Sequence, residues 1–384
     1  MYRIKQFIKS LRHTEQTSLN TILLDKKALL HNLSYLQSLH ATDTVFPVLK
    51  SNAYGHGLKE VSSILRNTTV PYICVDSFPE YQIVKDYAHK KSLILGETRP
   101  ENYSTYDPRR ATLAVYNIET LKILIQSWKK RHIHLFLNTG MHREWIQESQ
   151  LASFLELLET AKHITLEWVM SHFSNADEVD SSFDLQQTKK FKHLYTLIKQ
   201  YSCAHSIHYR HINNSAGTAK HHDPFFNAHR AGLAFYGYNP LQYNDPAYAI
   251  FVPLQPALTV ATTIVAIQQL DEHEIVSYGA KRTATQATTT ATIPFGYYEW
   301  LSRKLTNNRE IKWKDSYLPL IGTICMNLSC LNTNDNPVQI GDSVEIISAS
   351  TTAPNNITTF AEKVGTIPYE ILVKLNEKTK RVIV

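Results

Sequence analysis

Cysteine is scarce in this 384-residue chain, with only Cys74, Cys203, Cys325 and Cys330. Four thiols are too few for a disulfide scaffold, and none of them pair at zinc-ligand spacing. Buried free thiols in a reducing cytoplasm are therefore expected, and no metal. No apolar run approaches the length of a membrane span. The opening MYRIKQFIKSLRH is basic but lacks the continuous apolar stretch of a secretory signal. It reads as a surface extension over residues 1–15, with a mild affinity for a membrane or a partner left open. The net charge of +6 is spread along the chain rather than gathered in a block, which argues against nucleic-acid binding. An anionic cofactor or substrate explains the mild basicity equally well. There is no internal repeat, no low-complexity segment and no GxGxxG after the first strand, which weakens a dinucleotide-binding fold.

Short apolar strands alternate with helical patterns through the first half. TVFPVLK, PYICVD, SLILGE, ATLAVYN, IHLFLN, LEWVMSH, IHYRHIN and AGLAFYG are eight strand candidates before about Gly237. Between them lie amphipathic stretches such as FDLQQTKKFKHLYTLIKQY, where Phe191, Leu194, Leu197 and Ile198 recur at helical spacing. Strict alternation argues for a parallel sheet, and eight units in this length suit a (β/α)8 barrel over residues 16–247. A doubly wound open sheet competes on pattern alone. From about Tyr248 the chain turns rich in Val, Ile and Thr, with a short helical pattern only near TTFAEKVG. This predicts a separate, mainly β domain over 248–384, with TATQATTTAT as an exposed strand.

In such a barrel, chemistry gathers at the C-terminal ends of strands. Lys50 ends the first strand and is followed at once by SNAYGHG. Asn138 and Arg143 follow the fifth, His172 ends the sixth, Asn213, Asn214 and Ser215 end the seventh, and Arg230 precedes the eighth. An ammonium, an imidazole, a guanidinium and a hydroxyl at one mouth suit a ring cofactor with a phosphate tail. A lysine leaving an apolar wall is a candidate amine nucleophile, because desolvation lowers its pKa. A surface lysine at a strand exit is the alternative. Taken alone, Tyr278 also reads as a half-buried strand tyrosine, His172 as a core histidine and Ser215 as a helix cap.

VLKSNAYGHG resembles the cofactor-lysine motif of alanine racemases, fold-type III enzymes that carry pyridoxal 5′-phosphate. The resemblance continues in order through NTGMHR, SHFSNADE, NNSAGT, HRAGLAFYG, VSYGA, ICMN and TIPYEILVKLN. It implies a barrel plus a β domain in a head-to-tail homodimer with shared active sites. Lys50 would carry the cofactor and act as one base, and Tyr278 of the partner subunit would act as the other. Tyr54, Asn214, Ser215, Gly232, Leu233 and Tyr369 would surround the cofactor and its phosphate. His172 would lie beside the ring and Arg230 at the pyridine nitrogen, where a guanidinium that keeps its proton discourages side reactions. Arg143, Met326, Asn327 and Tyr297 would meet the substrate. The implied activity is interconversion of L- and D-alanine, which in this family feeds peptidoglycan. A serine racemase, a fold-type III decarboxylase using Cys325 and a catalytically weak cofactor-binding relative are the alternatives.

Three positions depart from the family pattern. Phe136 replaces a lysine that is often carbamylated, and Asn138 an aspartate, so Arg143 is expected to lack its anionic partner. Asn327 replaces an aspartate. GYYEW replaces GYADG, which makes that loop bulkier.

Overall fold

The computed structural model describes residues 18–280, 286–333 and 336–384. The expected 1–15 extension and the first residues of TATQATTTAT lie outside that set.

Eight parallel strands form the barrel: β2 (Thr44–Pro47), β3 (Tyr72–Val75), β4 (Lys91–Ile94), β5 (Ala111–Val115), β6 (Arg131–Phe136), β7 (Ile164–Met170), β8 (Tyr209–His211) and β9 (Ala228–Ala231). Strands β3 to β8 are continuously paired, and β2 pairs with β9. Two seams close the ring. At one, Val48 bridges to Cys74 and the Leu49 N–H donates to the Cys74 carbonyl (2.8 Å); at the other, the Asn227 N–H donates to Arg210 (3.1 Å). The interior is filled rather than hollow: Trp168 stacks on Phe46 at 4.7 Å, packed with Tyr72, Leu93 and Met170. Around it run α1 (Lys26–Leu39), α2 (Leu58–Leu65), α3 (Phe78–Tyr87), α4 (Ile118–Gln126), α5 (Glu148–Thr160), α6 (Ser182–Ile198) and the short α7 (Ser215–Lys220). Asp25 caps α1 by accepting from the Lys27 and Ala28 N–H groups, and α6 buries Phe191, Leu194 and Ile198 on one face.

The expected eighth strand needs correcting. AGLAFYG is not the strand; its Leu233–Tyr236 form a 3-10 turn, and β9 starts earlier. Arg230 therefore lies within the last strand, not before it. A run of buried apolar residues fits a strand or a packed turn equally well, and Gly232 decides for the turn.

The second domain is one nine-stranded sheet. Its strands are β10 (Leu258–Thr263), β11 (Ala266–Leu270), β12 (Thr288–Ile293), β13 (Glu310–Trp313), β14 (Ser316–Ile321), β15 (Ser329–Asn332), β16 (Ser343–Ile347), β17 (Lys380–Ile383) and β1 (Thr21–Leu24). Strand β1 lies inside the segment read as barrel, yet it is inserted between β10 and β17. β12 is a central strand paired on both sides, with Thr290, Ala291 and Ile293 buried, rather than an exposed one. Two helices accompany the sheet, α8 (Ile357–Val364) and α9 (Pro368–Val373). α9 is too short to show a helical period in sequence.

Buried histidines make the barrel acid-sensitive. His56 is fully buried, its Nδ1 2.9 Å from the Tyr54 carbonyl, and burial pushes its pKa down to about 3. Burial also holds His134 and His211 well below their ordinary value. In the unfolded chain these rings titrate near 6.5, so below that pH the unfolded state takes up protons that the fold refuses. Stability is therefore complete above about pH 6.5 and should fall with acidification by about 1.4 kcal/mol per pH unit for each such ring. Urea midpoints at about pH 7.5 and about pH 5 test this, and a flat midpoint would refute it.

Candidate active site

Val48 and Leu49 carry the chain from β2 over the barrel rim to Lys50. Ser51, Asn52, Ala53 and Tyr54 then all have positive φ, between 52° and 55°. A left-handed turn of L-residues costs about 1–2 kcal/mol per residue, so the surroundings must hold it. The Ser51 N–H donates to Glu80 Oε1 (2.6 Å), and Asn52 Oδ1 accepts from the Leu58 N–H (2.8 Å) at the start of α2. Gly55 continues at φ 76°, where a Cβ would stand 1.9 Å from the Leu372 carbonyl oxygen of α9. The turn thus aims Lys50 and Tyr54 and anchors the second domain's helix beside them.

Lys50 is half-buried in a cavity of about 340 Å³ at the C-terminal mouth of the barrel. Of the residues expected there, Tyr54, Arg143, His172, Asn214, Ser215, Arg230, Gly232, Leu233 and Tyr369 all line it. Arg230 is buried without a carboxylate partner in its hydrogen-bond set. Its Nη2 donates to the Ser171 carbonyl (2.6 Å) and to His172 Nδ1 (2.9 Å), and its Nη1 meets His211 Nδ1. Burial lowers its pKa to about 10, so it stays protonated at neutral pH. Burial, then the charges of Arg230, Arg143 and Lys50, keeps His172 neutral. Its Nδ1 can therefore accept from Arg230, and Asn214 Nδ2 lies 3.4 Å from its Nε2.

One corner of the cavity is built for an anion. Ser215 Oγ accepts from the Gly232 N–H (2.9 Å) and the Ala234 N–H (3.3 Å), which places the hydroxyl beside the 3-10 turn. The Leu233 N–H heads that turn, where no carbonyl of the turn can take it. Burial pushes the phenols of Tyr54 and Tyr369 far above their ordinary value, so both are neutral donors. A Cβ at Gly232 would stand 2.5 Å from Tyr54 Oη, so only glycine permits this approach. Hydroxyls and a free backbone N–H suit a phosphate, and the protonated Arg230 beside His172 suits an aromatic ring nitrogen, so pyridoxal phosphate fits this site. Gly232→Ala should overpack the corner by about 1–3 kcal/mol, weakening cofactor binding roughly ten- to a hundredfold. Absorbance titration of the apoprotein with pyridoxal phosphate measures this.

The Arg143 loop differs from expectation. Arg143 does have an anionic partner, since its Nε pairs with the adjacent Glu144. Asn138 serves the loop backbone by accepting from the Gly140 N–H (3.0 Å) and the His142 N–H (3.3 Å). Phe136 packs edge-on against Trp145 at 4.8 Å, so an apolar contact occupies the lysine's place. Asp76, Gly96, Tyr116, Glu144 and Trp145 also line the cavity and were not foreseen. Asp76 and Tyr116 directly follow β3 and β5, and Gly96 lies two residues past β4, so the strand-end rule points to all three.

Tyr278, Tyr297, Met326 and Asn327 lie elsewhere, together around a second cavity on the β domain. Tyr278 is 74% exposed and Met326 56%. The backbone there is pinned: Thr323 Oγ1 donates to the Tyr278 carbonyl (2.7 Å) and Ser277 Oγ to the Thr323 carbonyl (2.6 Å). Asn327 Nδ2 donates to Glu299 Oε1 (3.0 Å), while Glu299 Oε2 accepts from the Gly296 N–H (2.8 Å). The GYYEW departure thus returns a carboxylate beside the position where the family has aspartate.

Residues 24–240 match the family profile described as alanine racemase, N-terminal domain, and residues 257–383 match that of alanine racemase, C-terminal domain. An alanine racemase of Geobacter sp. strain M21 is 30% identical over 362 residues, covering 91% of this chain and 94% of that one. The solved alanine racemase of Clostridium difficile 630 superposes with a TM-score of 0.88 at 26% identity, covering 96% of this chain and 97% of the other. The alanine racemase of Bartonella henselae with covalently bound pyridoxal phosphate shares the fold, with a TM-score of 0.82 at 21% identity over 96% of this chain and 100% of that one.

Proposed function

The chain belongs to the alanine racemase family, and from that premise we propose that it interconverts L- and D-alanine, with Lys50 as base on one substrate face and Tyr278 of the partner subunit on the other. The observation that carries this reading is the division of parts. The Lys50 cavity holds the cofactor groups, whereas Tyr278 is exposed on the β domain beside the substrate-side residues Met326 and Asn327. A head-to-tail dimer would unite them.

When bound, pyridoxal phosphate delocalises the charge left at Cα and so acidifies that proton. Tyr54, Ser215, the Leu233 N–H and Tyr369 would hold the phosphate, with the Gly232 N–H orienting the Ser215 hydroxyl. Arg230 would donate to the pyridine nitrogen without surrendering its proton, which would limit the electron sink and disfavour transamination. Arg143 meets the substrate carboxylate, with Glu144 setting its orientation. Lys50 takes or returns a proton at Cα from one side and the Tyr278 phenol from the other, so the substrate need not turn over between steps. Among the described residues no helix is long and apolar enough to cross a membrane. With its free cysteines, the chain fits a reducing cytoplasm, supplying D-alanine for peptidoglycan precursors.

Incubation of the cofactor-loaded protein with L-alanine in deuterated water tests the reading. Loss of the Cα proton should accompany formation of D-alanine. Exchange without D-alanine would remove the two-base assignment, and no exchange at all would remove alanine as substrate.

A further inference from the structure

On the barrel flank, away from the cofactor cavity, His40, Asp43 and His222 converge. His40 is the C-cap of α1, Asp43 immediately precedes β2, and His222 follows α7. One ligand atom from each lies within 4.8 Å of the other two. The His40 and His222 rings are stacked, with centroids 4.6 Å apart and planes 2° from parallel.

The surrounding hydrogen bonds give these groups a definite chemistry. His40 Nε2 is 2.8 Å from the Thr218 carbonyl. A carbonyl only accepts, so Nε2 carries a proton and Nδ1 is the nitrogen open to a metal. Asn213 Nδ2 donates to His229 Nδ1 (3.0 Å), which puts that ring's proton on Nε2, from where it is donated to Asp43 Oδ2 (2.6 Å). The second Asp43 oxygen, Oδ1, accepts only a 3.2 Å hydrogen bond from Thr42. A histidine whose far N–H is tied to a carbonyl, and a carboxylate tied to a second histidine, are the outer supports that orient metal ligands. Ion pairing alone accounts for Asp43 and His229, but not for a ring nitrogen of both His40 and His222 within 4.8 Å of the same carboxylate.

We propose that His40, Asp43 and His222 bind one divalent transition-metal ion of the zinc type, with His229 and the Thr218 carbonyl orienting two of the three ligands. Nitrogen and oxygen donors suit zinc, and three protein ligands leave a fourth position to water. Donors around zinc stand roughly 3.4 Å apart at bond lengths of about 2.1 Å, and a ring nitrogen donates in its ring plane, so the exposed His222 must rotate out of its stack on His40 to share the ion. The bound ion would tie the end of α1 and the start of β2 to the segment after α7, whose first residue is Ser215.

The test is calorimetric titration of tag-free, cofactor-loaded protein with zinc chloride, comparing wild type, His40→Ala and His222→Ala. Wild type should bind one zinc per chain saturably, and each variant should weaken that binding at least about tenfold. His222 is exposed and neither residue lines the cofactor cavity, so racemisation by both variants should match wild type and report that they are folded. No saturable binding by wild type, or equal affinity in both folded variants, would overturn the proposal.

Discussion

Lys50→Ala should abolish racemisation, with a loss of about 10⁴-fold or more, because in the proposed mechanism one side chain supplies both the covalent anchor and a base. The fold should survive. Lys50 is half-buried and lies at the rim rather than in the packed interior of the barrel. The left-handed turn behind it is held through the Ser51 N–H and the Asn52 side chain, neither of which the substitution touches. Thermal unfolding should therefore stay near that of wild type while the visible band of the bound cofactor disappears. Turnover of alanine by a well-folded Lys50→Ala protein would end the assignment.

Tyr278→Phe should lower racemisation by about 10²–10⁴-fold, the usual contribution of one acid–base group. It removes a single hydroxyl from a side chain that is 74% exposed in the isolated chain, so stability should barely change. Its signature differs from that of Lys50→Ala. With one base left, the Cα proton of one enantiomer should still exchange with solvent while conversion to the other stalls. Mixing the two inactive proteins gives a sharper result. If each site takes Lys50 from one subunit and Tyr278 from the other, a hybrid dimer has one intact site and one doubly damaged site. Random mixing should then restore roughly a quarter of wild-type activity. Proven subunit exchange with no recovery would mean that Tyr278 acts within its own chain or not at all.

The sequence was most readable where local pattern and tertiary role agree. Alternating apolar runs and amphipathic helices disclosed the barrel, and strand ends disclosed Lys50 and His172. The AGLAFYG run misled because buried apolar residues carry no period when every side packs, and Leu233–Tyr236 pack on all sides. The placement of β1 was invisible because TILL reads alike in either sheet; only distant pairings, Thr21 with Ala261 and Lys380, assign it. In the site, the pairing of Glu144 with Arg143 is hidden in sequence because the family pattern puts the anionic partner at the Asn138 position. Glu299 is hidden for a related reason: its carboxylate gains meaning only when the loop folds back onto Asn327.

The position of β1 has a consequence for how the protein is made. Strand β1 leaves the ribosome long before its neighbours β10 and β17, which lie more than two hundred residues further on. At elongation rates of about 5–20 residues per second, β1 must wait on the order of ten to fifty seconds for its first partner. Over that interval the barrel strands can emerge and pair, while an apolar edge waits exposed and liable to wrong pairing. Strand β17 also reaches the turn after Lys50, since Arg381 Nη2 donates to the Gly55 carbonyl (2.9 Å). The pocket around Lys50 is therefore completed only once β17 has emerged, so a nascent chain stalled before Arg381 should hold a largely formed barrel without a finished cofactor site.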